Sequence, residues 1–313
     1  MAGIAELEDS PRGVYCGAIG VLKPGGDAVF SVGIRSVAIA DGVATCGLGS
    51  AITIDSTADG EYAEWMAKRR FLLRASARFE LIETLRLDLG ADEANRYVRL
   101  DRHLQRLMGS AAWFGFTVDE AAIRGELTRI AAACRRSEGI ADPFGSDGKS
   151  GSAATAALAS GDPAPGVFRV RLLLARDGRV RAEAFPLEVT PAEVRVRLAD
   201  RPIVGEPEFL RHKTTERRAY EAFSDLPTGV FDTLLFNERD ELTELTRGNV
   251  FLEEAGVLLT PPESAGLLPG VLRAELLAGG RAREAVLRRE QLTAASRLWF
   301  GNSVRGLIPA RLV

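Results

Sequence analysis

Residues 139–166, GIADPFGSDGKSGSAATAALASGDPAPG, are Gly, Ala, Ser, Pro and Asp with little apolar pattern. Such a stretch cannot bury enough apolar surface to offset the entropy of ordering it, so it reads as a flexible insertion or linker. The core must be built from what lies on either side. With 313 residues, 46% hydrophobic and 27% charged, that is enough for one large domain or two ordinary ones. The insertion holds a Gly-Lys-Ser at Gly148–Ser150, but Pro143 stands where a phosphate loop needs its first glycine.

Several function classes fall away early. A net charge of −3 and a pI near 5.7 give no electrostatic case for nucleic acid or an anionic membrane. Cys16, Cys46 and Cys134 are too scattered for a disulfide framework or a zinc cage. His103 and His212 have no histidine at the spacing of a zinc helix, so no metal is expected. There is no GxSxG elbow, and GLGSAI at Gly47 lacks the third glycine of a dinucleotide fingerprint. No signal peptide is read at the N-terminus, and no apolar run approaches the roughly 20 residues of a membrane span. A soluble, cytoplasmic protein is expected.

Periodicity divides the rest. AVFSVGIRSVAI (28–39) and GVATCGLGSAITI (42–54) predict paired strands about a turn at Ala40–Gly42, and a helix follows from Glu61. RFELIETLRLD (78–88) predicts a strand. The run 98–116 predicts an amphipathic helix with Leu100, Leu104, Leu107 and Ala111 on one face. Thr117 and Glu120 read as a capping box ahead of another helix. Residues 167–185 predict a hairpin turning at Asp177-Gly178, and helices and strands mix from Pro202 to Val313.

Three features suggest chemistry. Lys213 sits in FLRHKTTERRAYEAF (209–223), with Arg217 four residues on. Glu244 precedes Asn249 and a strand-like stretch. Pro269-Gly270 opens an amphipathic helix near Val271, whose free N–H groups and positive dipole end would seat a phosphate. A lysine for an imine, a carboxylate for a pyridine nitrogen and a phosphate seat together meet the needs of pyridoxal 5'-phosphate. Taken singly, Lys213 reads as a solvated cation, Glu244 as a turn carboxylate and Arg106 as a helix-surface charge.

In order and spacing these motifs, from Phe79 to Val313, resemble the class IV aminotransferases. That family includes branched-chain and D-amino-acid transaminases and 4-amino-4-deoxychorismate lyase. The resemblance implies an α/β (α+β) fold of two lobes, like D-amino-acid aminotransferase, with the cofactor between them. It places a small lobe at about 76–200, a large lobe at about 201–313, and active sites near a homodimer interface. HLQRL with the following Ser-Ala resembles the helix whose arginine, Arg106, holds the cofactor phosphate. HKTTER resembles the Schiff-base lysine segment, giving Lys213, although Glu216 replaces the asparagine of many relatives. FNERDELTELTRGNVF resembles the strand–turn–strand whose glutamate, Glu244, meets the pyridine nitrogen. LLPGVLR implies phosphate contacts at Gly270, Val271 and Leu272, and GNSVRGLIP implies Asn302 or Ser303 nearby. Thr84 and Arg86 match a pocket-lining strand.

The first 75 residues resemble the end of the chorismate-binding enzymes, nearest to aminodeoxychorismate synthase component I. SPRGVYCGAIG, VGIRS and ITIDSTADGEYAEWMAKRRFL carry the likeness. It implies that Arg35 corresponds to a chorismate contact and Glu61 and Glu64 to a magnesium site, while Glu64 and Lys68 also form an ordinary helix pair. Only the last portion of that family is matched, so a strand–strand–helix remnant without chorismate chemistry is expected. Such a remnant points to a lyase that consumes the synthase product, 4-amino-4-deoxychorismate, and releases pyruvate to give 4-aminobenzoate for folate synthesis. A transaminase of branched-chain or D-amino acids, and an inactive remnant, stand as alternatives.

Overall fold

The computed structural model describes residues 6, 8, 11–69, 72, 78–139, 165–292 and 297–313. The insertion expected at 139–166, with its Gly-Lys-Ser, lies almost wholly outside them. The chain divides into two compact units, Met1–Arg78 and Phe79–Val313.

In the first unit, β1 (Ala18–Leu22) pairs antiparallel with β2 (Ala28–Val32), and β3 (Ala38–Ala40) with β4 (Val43–Thr45). The turn predicted at Ala40–Gly42 forms, with Asp41 and Gly42 at φ 50° and 77°. Two positive φ values in a two-residue loop match the twist of the flanking strands. The long strands predicted around it do not survive. Residues 28–39 break between β2 and β3, where Arg35 takes φ 52°, and 46–54 form no strand. The partner strand β1, AIGVL, has no polar alternation to announce it. Helix α1 (Ala58–Lys68) starts at Thr57, whose side chain accepts from the Gly60 N–H, and Lys68 pairs with Glu64 at 2.6 Å. Glu61, expected at a magnesium site, instead accepts hydrogen bonds from the Ser50 and Ser56 hydroxyls. No residue of α1 or of these four strands is buried.

The second unit opens with β5 (Leu81–Asp88), whose buried face carries Leu81, Glu83, Leu85 and Leu87. Helix α2 (Leu100–Phe114) packs His103, Leu104, Leu107, Ser110, Ala111 and Phe114 inward and ends at Gly115, in the left-handed conformation that favours glycine. Helix α3 (Glu120–Ser137) is capped by Asp119, which accepts from the Ala121 N–H. The predicted Thr117–Glu120 box is therefore displaced by two residues, aspartate being the stronger cap. Strands β6 (Val167–Leu174) and β7 (Val180–Pro186) turn at Asp177-Gly178 as expected and complete the antiparallel sheet β5–β6–β7.

The elements that follow are β8 (Val194–Leu198), α4 (Pro207–Arg211), α5 (Arg218–Glu221), β9 (Asp232–Phe236), β10 (Leu242–Leu245), β11 (Asn249–Glu254), β12 (Val257–Thr260), α6 (Val271–Ala278), β13 (Ala282–Glu284), β14 (Leu298–Asn302) and β15 (Gly306–Leu312). Their strands form an eight-stranded mixed sheet in the order β10-β9-β8-β15-β14-β11-β12-β13. Strand β8 runs parallel to both β9 and β15, and β12 to β13. Every residue of β9 and β10 is buried, as in a sheet covered on both faces. Leu234, Leu242, Val250 and Phe300 pack in one core cluster, and Phe251 packs in another with Leu272 and Leu276 of α6.

Candidate active site

A cavity of about 730 Å³ in the second unit gathers Lys213, Glu244, Arg106, Gly270, Val271, Asn302, Ser303 and Thr84 on its wall. Residues more than 200 positions apart in sequence meet there.

Lys213 does not lie on a helix. It follows α4 and continues as an edge on β5: the Ile82 N–H donates to the Lys213 carbonyl at 3.1 Å, and the Thr215 N–H to the Glu80 carbonyl at 2.9 Å. The preceding residue is anchored as well, with His212 Nδ1 2.9 Å from Ser110 Oγ. The amine borders the cavity but is enclosed by its walls. Burial, with the Arg106 charge next, lowers its pKa to about 8. The neutral form, nearly absent from an ordinary lysine at neutral pH, is then populated enough for the amine to act as nucleophile and base.

Glu244 is held in the middle of β10. The Tyr220 hydroxyl donates to Oε1 at 2.7 Å, and the Leu268 backbone N–H also donates to this carboxylate. Burial outweighs these bonds and the Arg217 and Lys213 charges, raising its pKa to about 7. Tyr220, pushed up by burial and then by Glu244, stays a neutral donor. Sequence reading overlooked Tyr220, although it lies seven residues after Lys213 in the same quoted stretch. Arg217 donates to the Thr246 carbonyl at 2.6 Å and stacks 4.3 Å from the Tyr220 ring.

The opposite wall carries cations around a buried glutamate that was also missed. Glu83, 1% exposed, accepts from Arg106 Nε and Nη2 at 2.8 and 2.6 Å and lies 2.7 Å from His103 Nδ1. Burial alone would raise its pKa, but the Arg106 and His103 charges bring it down to about 2. His103 Nε2 in turn meets Ser303 Oγ at 2.8 Å, and Arg106 Nη1 donates to the Pro269 carbonyl at 3.1 Å. Glu83→Ala is expected to destabilise the fold by about 3–5 kcal/mol, because Arg106 and His103 lose the buried carboxylate they share. Urea unfolding at neutral pH checks this; a loss within 1 kcal/mol would contradict it.

Helix α6 begins at Gly270, and its first intrahelical bond runs from the Ala274 N–H to the Gly270 carbonyl. The N–H groups of Val271 and Leu272 are therefore left for an outside acceptor. Leu272 has its side chain in the core and does not line the cavity. Arg86 does not line it either and lies 4.0 Å from Asp88. Asn302 does line it, but its amide is committed to backbone: Nδ2 donates to the Arg247 carbonyl, and Oδ1 accepts from the N–H groups of Val304 and Arg305. A Cβ at Gly270 would collide with Asn249 Oδ1. Asn249 is itself buried and donates to the Leu268 carbonyl at 2.9 Å. Gly270→Ala is expected to cost about 1–3 kcal/mol by overpacking, read as a lowered midpoint in thermal unfolding.

The fold and this cavity together define an enzyme built around an anchored lysine, a buried acid and an anion seat. Residues 80–313 match amino-transferase class IV, and the chain belongs to that family; residues 1–74 match the chorismate binding enzymes. A crystal structure of a candidate amino-acid aminotransferase from Mesorhizobium loti is similar at 41% identity and TM-score 0.60, covering 75% of this chain and 100% of that one. The 4-amino-4-deoxychorismate lyase from Pseudomonas aeruginosa shares the fold at TM-score 0.53 and 21% identity, over 74% of this chain and 82% of that one. Two curated relatives match over about a quarter of the chain. Anthranilate synthase component 1 of Streptomyces coelicolor is 39% identical over 77 residues, 25% of this chain and 15% of its own length. Aminodeoxychorismate synthase of Streptomyces pristinaespiralis is 39% identical over 75 residues, 24% of this chain and 10% of its own. The chain thus spans about 15% or less of these relatives.

The family works with pyridoxal phosphate, and the donor set here fits it. The Arg106 guanidinium has N–H groups beyond those that Glu83 and Pro269 use, and the start of α6 adds backbone donors. Both suit a phosphate dianion. Lys213 offers an amine of lowered pKa, and Glu244 an acid that can share a proton with a ring nitrogen. Among the described residues, no group of three or more His, Cys, Asp or Glu is placed to hold a metal ion, and no helix is long and apolar enough to cross a membrane.

Proposed function

We propose that this chain is a pyridoxal-phosphate-dependent 4-amino-4-deoxychorismate lyase, releasing pyruvate to give 4-aminobenzoate for folate biosynthesis. The observation that carries the reading is the presence on one chain of a class IV domain and a chorismate-binding segment. A synthase and the enzyme that consumes its product are natural neighbours.

Bound cofactor supplies an electron sink that makes the C–H bond beside the substrate amine acidic. The chain's residues do the rest. Lys213 anchors the cofactor and, once released, takes the proton from the amine-bearing carbon. Glu244, steadied by Tyr220 and the Leu268 N–H, holds a proton at the ring nitrogen. Arg106, Gly270, Val271 and Leu272 bind the phosphate and fix the orientation of the bond that breaks. Ser303, through His103, adds a hydroxyl to that wall, with Asn302 beside it; Thr84 belongs to the substrate side. The C–O bond to the enolpyruvyl group then breaks, and the ring becomes aromatic as pyruvate leaves. The protein acts as a homodimer in the cytoplasm.

A second reading, transamination of a branched-chain or D-amino acid, is favoured by the 41% identity to the Mesorhizobium protein. The deciding experiment gives the cofactor-loaded protein 4-amino-4-deoxychorismate made in situ by a separate synthase. Equal amounts of 4-aminobenzoate and pyruvate are expected without any keto acid. Product only from an amino acid plus keto acid would establish the transaminase, and no turnover of either kind would leave an inactive remnant.

A further inference from the structure

Among the guanidiniums on the cavity wall that take no part in holding the cofactor as described above are those of Arg247 and Arg305. Arg305 lies in the turn between β14 and β15, and Arg247 in the loop between β10 and β11. The loop of Arg247 is tied down by Asp232, fully buried, which accepts from the Thr246 N–H and hydroxyl at 3.2 and 2.5 Å and from the Arg247 N–H at 3.2 Å. Asn302 then joins loop and turn, donating to the Arg247 carbonyl at 3.1 Å and accepting from the Arg305 N–H at 2.8 Å. The two cations are thus presented from one clasped frame.

Neither has its charge well matched. The Arg305 side chain is 16% exposed, donates to the Glu188 and Val189 carbonyls, and has the Glu188 carboxylate at 3.5 Å. That carboxylate is 83% exposed. The Arg247 side chain, 53% exposed, donates to the Phe231 carbonyl and lies over that ring at 4.6 Å, with Asp232 at 3.6 Å already shared with Thr246 and the Arg247 N–H. Burial lowers the pKa of Arg305, the Glu188 charge opposes this, and the Arg247 and Arg169 charges lower it further. Like charges gathered beside a catalytic cavity are unfavourable until an anion arrives.

We propose that Arg247 and Arg305 form a binding site for a second carboxylate, remote from the reacting amine, so that the cavity selects dicarboxylate substrates over monocarboxylates. Glu188 occupies this site loosely and gives way to the ligand. The proposal deepens the reading above and rests on it for the reaction, though not for the binding preference itself. A substrate with one carboxylate on its ring and a second on an enolpyruvyl ether can bring one of them to this cation pair, whereas a branched-chain amino acid has no second carboxylate to bring.

The test is calorimetric titration of the cofactor-loaded protein with isophthalate and with benzoate at low salt. Isophthalate is expected to bind about tenfold tighter, the gain of one charge-assisted pair. The double variant Arg247→Gln/Arg305→Gln, taken forward only with its bound-cofactor absorbance intact, should lose the preference. Glu188→Gln, which perturbs only an exposed side chain, should strengthen isophthalate binding by removing the competitor. Equal binding of the two probes by the unmodified protein would overturn the proposal, as would a preference untouched by both sets of substitutions. A dicarboxylate preference without lyase turnover would sink the lyase reading and leave this site standing.

Discussion

Lys213→Ala is expected to abolish turnover, with a loss of at least about a thousandfold, and to leave no cofactor on the chain after borohydride reduction. Both effects follow from one side chain performing two tasks. Its amine is the anchor, and its lowered pKa of about 8 makes it the base once the anchor is released. The neighbours that tune it, Arg106, Glu83, Arg217 and Glu244, stay in place in the variant. Phosphate binding through Arg106 and the start of α6 should therefore persist, and added cofactor should still bind, though exchangeably. The measurement is mass spectrometry after reduction, set beside a product assay. Cofactor still fixed covalently in the alanine variant would move the anchor elsewhere and end the assignment. A primary amine added to the medium should restore part of the proton transfer if Lys213 is the base.

Glu244→Gln has the second largest expected effect, and it appears in two separate readouts. Glutamine keeps the acceptor for Tyr220 but cannot give a ring nitrogen the proton that Glu244 holds, so kcat should fall about a hundredfold or more. Stability should move the other way. The folded pKa of Glu244 is raised from 4.5 to about 7. Its relative contribution is fully present below pH 4.5 and is lost as pH rises through 7. The loss amounts to about 3 kcal/mol from burying a charge. Glutamine escapes this loss, so the cofactor-free variant should equal the parent near pH 4.5 and exceed it at pH 8. Urea unfolding at the two pH values checks the sign, and a variant less stable at both would refute the account.

Much of the site was legible in the sequence because its main residues sit in local signatures. The glycine before α6, the lysine segment and the strand–turn–strand around Glu244 each announce themselves over a few residues. Glu83 did not, because it alternates with leucines on β5 and reads as one more position on a strand; its meaning comes from Arg106 and His103, which only the packing of α2 against β5 supplies. Arg247 and Arg305 were hidden for the same reason, since two loops about 58 positions apart in sequence are joined by a single asparagine. In the first unit, the predicted strands failed where the apolar pattern continued but the backbone turned, at Arg35. Periodicity tells which residues want to be buried, and here no strand residue is.

The short strand edge at Lys213 has a mechanical consequence. Its carbonyl is fastened to Ile82, and Thr215 to Glu80, while Ser110 steadies His212 from the other side. The main chain beneath the amine is thus a fixed pivot, and the swing from one partner to the next takes place through side-chain torsions alone. Rotamer changes of this kind run orders of magnitude faster than loop rearrangement. A lysine mounted this way can release its cofactor, accept a proton and return without the surrounding chain changing shape, so the timing of a catalytic cycle would be set by bond making and product departure.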